Sequence, residues 1–274
     1  MTVNELFHTL EVNQVAALDP VLAALLLAQD EIKELNIHAY LNQIDEWAKL
    51  IKPKLLGLPL HDQITVLCDF LFVDLRFSGN REHYYDPRNS YLPHVIDRRL
   101  GIPLTLTLVV MGVAQRAGMD VHGVCMPGHF VAMAVGEGQK ILIDPFDAGR
   151  FLSEQDCSRL IQESCGFALP WPGQWCVPAT THSIISRMCN NLRSIYLRLE
   201  DYGRAERILR RLTQLHPNVM ELQRDIGICH LFTNQPRSAL QHFTSYLQQK
   251  TAPEDAEAVQ ELLQKARCEL AKLN

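Results

Sequence analysis

Apolar residues recur every three or four positions through the first third of the chain, which is the period of an amphipathic helix. Three such stretches follow one another between Pro20 and Phe77. Their apolar positions are Leu22, Leu25, Leu26 and Ile32, then Leu41, Ile44, Trp47 and Leu50, then Ile64, Leu67, Leu71 and Leu75. The spacing predicts three successive helices.

Turn-forming and aromatic residues dominate the next stretch, SGNREHYYDPRNSYLP at positions 78–93. This composition predicts an ordered loop that leads into a short helix from His94 to Leu100. Residues 101–103, Gly-Ile-Pro, then separate two elements, because proline suits the first position of a helix. The next helix is expected over Leu104 to Ala117. It is apolar almost all round, which predicts a buried, central position.

After Gly118 the pattern changes to short stretches typical of β-strands. The predicted strands are Val121–Met126, His129–Val135 and Lys140–Asp144. Gly136 and Glu137 lie between the last two, and glycine at the first turn position predicts a two-residue type II′ hairpin. Paired residue numbers would then add to 273, as 129 and 144 do. His129 is therefore expected directly opposite Asp144, close enough for a carboxylate to hold an imidazole ring.

The last third of the chain repeats with an offset of 34 residues. The offset pairs Leu192 with Ile226, Ala205 with Ala239, Leu209 with Phe243, and Leu212 with Tyr246. Tyr196, Pro217 and Gly227 fill further positions of the tetratricopeptide pattern, whereas Cys189 and Gln223 stand where its tryptophans are expected. The pattern predicts two helical hairpins, followed by a last helix over Glu254 to Leu273.

Composition and charge narrow the range of partners and compartments. The chain has 26 Lys and Arg against 31 Asp and Glu, without a tract of like charge, so nucleic acid and anionic membrane are not expected partners. The N-terminus lacks the pattern of a secretion signal, and the longest clean apolar run, Val21 to Ala28, is far shorter than the ~20 residues of a membrane span. The eight cysteines form no CxxC pair. They suit reduced thiols, and we expect a cytoplasmic protein.

The stretch YYDPRNSYLPHVIDRRLGIPLTLTLVVMGVAQRAGMDVHGVCMPGHFVAM, together with ILIDPFDAG, resembles the core of an uncharacterised bacterial family. This family, sometimes labelled SirB-type, belongs to the transglutaminase-like superfamily. Its members also end in tetratricopeptide-like repeats, so the resemblance covers most of residues 84–274. The motifs DPRNS, RRLGIP, PGHF and IDPF are specific in combination.

The resemblance implies an α+β protein. Its papain/transglutaminase-like core of helices and a small antiparallel sheet would be followed by an all-α region of tetratricopeptide-like repeats. We expect the core with its N-terminal helical part over residues 1–167, a linker over 168–182 and the repeats over 183–274. The linker segment is marked by Pro170, Trp171, Pro172, Gly173 and Trp175, which show no helical period.

The resemblance also implies site residues. The superfamily's histidine falls on His129 and its aspartate on Asp144. In such acyl-transfer sites the histidine moves the proton of a nucleophile and the carboxylate orients the ring. The superfamily's cysteine, at the start of a helix, would fall near Leu104 or Thr105, where this sequence has no cysteine.

Three interpretations of the missing nucleophile stay open. Thr105 or Thr107 could supply a hydroxyl, although an internal threonine lacks the amine that activates threonine hydrolases. Cys125 could supply a thiol from the strand before His129. In the third interpretation, which we favour, the site no longer carries out acyl transfer and instead binds a ligand or supports the structure.

Four further residues are expected to surround the same cleft. Asp86, Arg88 and Asn89 precede the buried helix, although turn formation and a solvated surface would also explain them. Gly128 would let the backbone come close to whatever His129 contacts. The histidines lack a metal-ligand spacing, and neither a GxGxxG motif nor a P-loop is present, so no metal and no cofactor is expected.

Two functional hypotheses follow. The absent cysteine and the repeats favour a protein-interaction protein, which binds a peptide or partner protein through its cleft and its helical repeats. The alternative is a hydrolase or acyltransferase on amide or isopeptide bonds, with His129 as base, Asp144 as its orienting partner and Thr105, Thr107 or Cys125 as nucleophile. The oligomeric state stays open.

Overall fold

A computed structural model describes residues 1–13, 18–166, 176–248 and 254–272. The chain forms two compact units: Met1–Leu6 with Gln14–Ile185, and Phe7–Asn13 with Ser186–Asn274. The helices are α1 (Val3–Val12), α2 (Pro20–Ala28), α3 (Ile37–Leu55), α4 (Leu60–Cys68), α5 (Leu92–Arg98), α6 (Pro103–Ala117), α7 (Glu154–Cys165), α8 (Thr181–Arg198), α9 (Tyr202–Leu215), α10 (Glu221–Phe232), α11 (Pro236–Leu247) and α12 (Ala256–Lys272). The strands are β1 (Ser78–Gly79), β2 (Leu100–Gly101), β3 (Asp120–Met126), β4 (His129–Gly136), β5 (Gln139–Asp144) and β6 (Arg150–Leu152). The fold is α+β, as predicted.

The first unit is organised around α6. This helix begins with Pro103 at its first position, and almost every side chain along it is buried, as its apolar sequence predicts. It ends at Gly118, whose backbone is left-handed with φ of 97°. Arg116, in its last turn, forms ion pairs with Asp19 at 2.9 Å and with Asp45 at 2.7 Å. The helix is thereby tied to the start of α2 and to α3.

The helices predicted before α6 are present with shifted ends. Asp19 caps α2, since its carboxylate accepts hydrogen bonds from the backbone N–H groups of Val21 and Leu22. The helix ends at Ala28, so Ile32, which was predicted within it, lies in the following turn. The third predicted helix is α4, which continues into a π-helical turn over Asp69–Asp74.

A four-stranded antiparallel sheet with the order β3-β4-β5-β6 carries helices on both faces. Gly123 lies against Phe130 and Met111 of α6 on one face, where an added Cβ would come within 2.5 Å of the Phe130 ring. The other face packs against α7. Its apolar cluster consists of Val124, Met126, Val131, Met133, Leu142, Cys157 and Ile161.

The predicted register of the β4–β5 hairpin is wrong by two residues. Gly136 pairs with Gln139, so paired residue numbers add to 275 and not to 273. The turn residues are Glu137 and Gly138, with φ of 52° and 73°. Positive φ at both central positions is the type I′ turn and not the predicted type II′ turn. Gly138 takes the left-handed second position without steric cost, which leaves Gly136 inside the strand.

The second unit contains the predicted helical repeats. Ala205 and Ala239 are fully buried, and their small side chains let neighbouring helices approach closely. Gly227 of α10 has the same role, because an added Cβ would lie 2.6 Å from the ring of Phe243 on α11. The equivalent positions found by the 34-residue offset are buried on both repeats, as the tetratricopeptide pattern requires.

The predicted linker is only partly described. Residues 167–175, which include all five of its marker residues, lie outside the described part of the chain. Beyond them, the backbone N–H of Ala179 donates to the carbonyl of Gly123 at 2.8 Å, so this segment runs along the edge strand β3. Helix α8 follows from Thr181. The proposed boundaries at 167 and 183 stay predictions.

We expect the repeat unit to lose stability as pH falls below about 6.5, the ordinary pKa of histidine. Burial lowers the pKa of His242, and the charges of His230 and Arg210 lower it further. The unfolded chain therefore binds this proton more readily, so the stabilisation is complete above the ordinary pKa and is lost as pH falls through it.

Urea unfolding of the full chain between pH 7.5 and 5.5 measures this dependence. His242→Asn keeps a donor toward the side-chain oxygen of Gln223, which His242 Nδ1 reaches at 2.8 Å. The variant should show a smaller loss of stability over this range than the parent protein. Equal losses in the two proteins would contradict the assignment to His242.

Candidate functional site

His129 is the first residue of β4 and Asp144 is the last residue of β5, and the hairpin brings the two together. The ring Nε2 of His129 lies 3.0 Å from Oδ2 of Asp144. A register shift of two residues keeps both side chains on the same face of the sheet, so they meet diagonally and not directly across. The other carboxylate oxygen, Oδ1, accepts from the backbone N–H of Phe146 at 2.9 Å. Asp144 is 2% exposed and therefore held firmly from two sides.

The second ring nitrogen of His129, Nδ1, is unpartnered among the described residues. Only 9% of the side chain is exposed, and within the described residues Nδ1 has no hydrogen-bond partner. In the neutral ring, Nε2–H donates to Asp144 and Nδ1 carries the lone pair. The arrangement presents one polar atom, with a fixed direction, to whatever occupies the adjoining space.

That space is a cavity of about 410 Å³, called the His129 cavity below. Its walls come from the loop before α5, from the start of α6, from both strand ends and from the last turns of α7. The lining residues are Arg81, Tyr84, Tyr85, Pro103, Gly128, His129, Asp144, Phe146, Asp147, Arg150, Leu160, Glu163 and Ser164. Aromatic rings and charged groups therefore face one another across the cavity.

Gly128, one of the residues expected around the cleft, lies in the cavity wall. Its φ of 68° is left-handed, and it forms the two-residue turn between β3 and β4 with Pro127. A Cβ at this position would lie 2.2 Å from the Cβ of Ser164. Glycine is required both for the backbone conformation and for the close approach of the end of α7.

The arginines of the cavity are already paired. Asp147 accepts from Arg81 at 3.0 Å through one oxygen and from Arg150 at 2.9 Å through the other. Arg150 also contacts Asp156 at 3.1 Å, and the Arg81 guanidinium lies 4.9 Å above the centre of the Phe146 ring. The positive charges on this wall are thus largely neutralised within the protein.

Asn89 of the DPRNS motif shapes the loop that carries the tyrosines. Its side chain is fully buried, and Nδ2 donates to the carbonyls of His83 at 2.7 Å and Tyr84 at 3.2 Å. Its Oδ1 accepts from the side chain of Asn80 at 3.1 Å. Asn89, predicted at the cleft, therefore acts from beneath the loop and does not face the cavity.

Asp86 and Arg88 lie on the outer side of the same loop. Asp86 caps the short 3-10 turn Pro87–Asn89 by accepting from the backbone N–H of Arg88 at 2.9 Å. It also pairs with Arg88 at 2.7 Å and Arg98 at 3.5 Å. Burial opposes ionisation, but the hydrogen bonds and charges of the two arginines outweigh it and lower the pKa of Asp86. Asp86 thus forms the turn that was the alternative explanation for its place in the sequence.

None of the three candidate nucleophiles lies among the described lining residues. Thr105 is fully buried and donates to the carbonyl of Asn89 at 2.8 Å. Thr107 is also fully buried, and its hydroxyl has no hydrogen-bond partner in the described part of the chain. Cys125 is exposed and pairs with Phe130 across β3 and β4, so it points to the sheet face opposite His129.

The residues of α6 and α7 that line the cavity were not predicted from the sequence. Pro103, and not Leu104 or Thr105, is the α6 residue in its wall. Ser164 enters from the end of α7, about 35 residues along the chain from His129. Only the glycine before His129 signalled that another backbone comes close; the sequence did not indicate which one.

Comparison with known proteins identifies both parts of the chain. Residues 38–190 match the model of the transglutaminase-like superfamily, and residues 192–264 match a tetratricopeptide repeat model. A UPF0162 protein of Xylella fastidiosa (strain 9a5c) is 33% identical over 229 residues, which is 82% of each chain.

Relatives in other organisms are similar to a smaller part of the chain. A UPF0162 protein of Vibrio cholerae is 27% identical over 168 residues, covering 59% of this chain and 62% of the relative. F-box only protein 21 of Mus musculus is 29% identical over 150 residues, covering 52% of this chain and 23% of that protein. In the described ranges, no helix has both the length and the apolar character needed to cross a membrane. The chain belongs to the UPF0162 proteins of the transglutaminase-like superfamily and joins their core to tetratricopeptide repeats.

Proposed function

We propose that this protein binds a peptide segment of a partner protein in the His129 cavity, and that the cavity has lost the nucleophile of its superfamily. A transglutaminase-like core joined to tetratricopeptide repeats supports a role in protein interaction in general. The repeats would add a second contact surface, because arrays of this kind build concave binding faces. The cavity would contribute the specific recognition.

One observation carries the proposal: the His129–Asp144 pair is retained, but the residue of α6 in the cavity wall is a proline, Pro103. A superfamily-type acyl transfer needs a nucleophile within hydrogen-bond reach of the histidine. Pro103 lies at the start of α6, on the cavity wall, and has no nucleophilic atom. What the pair retains is a directed, nearly buried hydrogen-bonding group, which suits ligand recognition.

Three of the buried cysteines are poor alternatives as a thiol nucleophile. Burial raises the pKa of Cys68, Cys157 and Cys229 to about 12, so they stay protonated at neutral pH. A protonated thiol is a weak nucleophile. These side chains behave as small apolar residues of the core.

A second candidate function is hydrolysis or acyl transfer with Ser164 as nucleophile. It is favoured by one observation, namely that the Ser164 side chain lines the same cavity as His129. Ser164 lies in the last turn of α7, however, where the negative end of the helix dipole disfavours a developing alkoxide. The position is the reverse of a helix N-terminus, which would favour such a charge.

Acylation by p-nitrophenyl acetate separates the two functions. Under the binding proposal, the parent protein, His129→Gln and Ser164→Ala should acquire acetyl groups at rates that agree within about twofold, because only surface amines and thiols outside the cavity react. Intact-mass spectrometry at several times measures the rates, and Ser158→Ala, a half-buried serine of the same helix that does not line the cavity, is the matched control.

A drop of about tenfold or more in both His129→Gln and Ser164→Ala, with Ser158→Ala unchanged, would overturn the loss of the nucleophile. Circular dichroism of each variant shows whether folding is retained. A drop shared by all three variants would reflect altered background reactivity and leave the binding proposal in place.

A further inference from the structure

A ridge of two tyrosines separates the His129 cavity from a second depression. The second depression, called the outer hollow, has a volume of about 500 Å³ and is lined by Glu82, His83, Tyr84, Tyr85, Asp86 and Arg88. Tyr84 and Tyr85 line both spaces. A ligand that crosses this ridge can therefore place groups in both spaces at once.

Both spaces contain an acidic side chain that is not neutralised by a neighbouring arginine. Arg81 and Arg150 are bound by Asp147, and Arg88 is bound by Asp86. Glu163 in the His129 cavity and Glu82 in the outer hollow are exposed, and neither carboxylate has a hydrogen bond or ion pair within the described residues. Each space therefore offers a carboxylate that no cation within the described residues neutralises.

The aromatic wall is also suited to cations. Tyr84 and Tyr85 are 37% and 52% exposed, with ring centres 5.3 Å apart in an edge-to-face arrangement. Phe146 extends this wall, at 5.9 Å from Tyr84, and already carries the guanidinium of Arg81 on its face. A cation over an aromatic face is attracted by the ring quadrupole.

His129 provides an observation that does not depend on the acidic residues. Its ring is more than nine-tenths buried, and its Nδ1 has no hydrogen-bond partner in the described ranges while the residue lines the cavity. The carboxylate of Asp144 lies directly behind the ring. A lone pair backed by a negative charge accepts hydrogen bonds from ammonium or guanidinium groups.

We propose that the partner segment is an extended peptide with two basic side chains, lysine or arginine, one in the His129 cavity and one in the outer hollow. The inference rests on the proposed function and names the chemistry of the ligand for that cavity. In an extended chain, side chains two residues apart point the same way and are separated by ~7 Å. We therefore expect a Lys-x-Lys spacing to suit a ridge formed by two adjacent tyrosines.

Fluorescence polarisation of labelled peptides with the 274-residue protein tests the inference. The probes are alanine-based peptides with two lysines separated by zero to three alanines. Each has a matched peptide in which norleucine, which lacks the ammonium group, replaces both lysines. The lysine peptides should bind about tenfold more tightly than the norleucine peptides, because the norleucine peptides form neither the ion pair nor the cation–π contact.

Protein variants locate the binding. Glu163→Gln and Glu82→Gln should each weaken the dilysine peptide about threefold and leave the norleucine peptide unchanged. Glu154→Gln, at the opposite end of α7, is the matched control and should have no effect. Circular dichroism confirms that each variant is folded.

Each outcome has a distinct meaning. Equal binding of lysine and norleucine peptides, with loss in Tyr85→Ala, would overturn the basic-ligand inference and leave the proposed peptide binding intact. Preference for glutamate-containing peptides would overturn it in the same way. If no peptide of any charge binds at millimolar concentration, the inference and the proposed peptide binding both fail.

Discussion

Replacing Gly128 with alanine should lower the free energy of unfolding of the first unit by about 3 kcal/mol. A left-handed backbone costs a residue with a Cβ roughly 1–2 kcal/mol. The new methyl group would also lie 2.2 Å from the Cβ of Ser164, and overpacking of this kind typically costs about 1–3 kcal/mol. The two costs add because one acts on the backbone and the other on a neighbouring helix.

Urea unfolding followed by tryptophan fluorescence measures this effect, since all three tryptophans precede residue 186. Gly138→Ala is the matched control. Its φ of 73° is also left-handed, but an added Cβ would meet no atom within 4 Å. This variant should lose only the backbone cost, and equal losses at the two glycines would contradict the close approach of α7 to the turn.

Replacing Asp225 with alanine should destabilise the repeat unit by about 3 kcal/mol. The carboxylate is 3% exposed and accepts from Arg193 Nε at 2.7 Å and from Arg224 Nε at 2.9 Å. Removing one partner of a buried ion pair typically costs about 3–5 kcal/mol. We expect the lower end, because roughly a quarter of each arginine side chain reaches solvent and keeps part of its hydration.

Hydrogen exchange of the α10 amides in the full chain measures this loss in the repeat unit itself, which matters because the two units need not unfold together. Glu221→Ala, an exposed acidic residue in the first turn of the same helix, should change protection by less than about 1 kcal/mol. Similar losses in Asp225→Ala and Glu221→Ala would show that the buried network contributes little.

The sequence predicts the main elements of this fold for identifiable reasons. Helix α6 is apolar on nearly all sides, begins with a proline and ends at Gly118. Each of these signals depends on residues that are close together in the sequence, so it can be recognised without a structure. The 34-residue repeat is equally readable, since Ala205, Ala239 and the other paired positions recur in register. Patterns of this kind need no knowledge of distant contacts.

The hairpin shows where local reasoning fails. Gly136 and Gly138 flank Glu137, and either glycine could serve a two-residue turn, the first in type II′ and the second in type I′. Selection between them depends on how the whole sheet packs between α6 and α7. Val131, Met133 and Leu142 would face α7 in either register, so the alternation of apolar side chains does not distinguish the two turns.

The candidate site is limited in the same way. His129 and Asp144 were predicted to meet, and they do, but through a diagonal contact. The opposite wall could not be predicted, because Ser164 and Glu163 reach the cavity through the orientation of α7 on the sheet. Tertiary packing, and not sequence spacing, determines which side chains face the histidine.

The diagonal contact of His129 with Asp144 also limits how this hairpin can change in length. Side chains alternate between the two faces of a strand, so a change of two residues in register preserves the face on which each lies. Inserting or deleting a single residue within either strand between the two positions, with the turn unchanged, would turn one of them to the α6 side of the sheet. Changes within the strands that keep the pair together must therefore come in even numbers, or be absorbed by a bulge or by a longer turn.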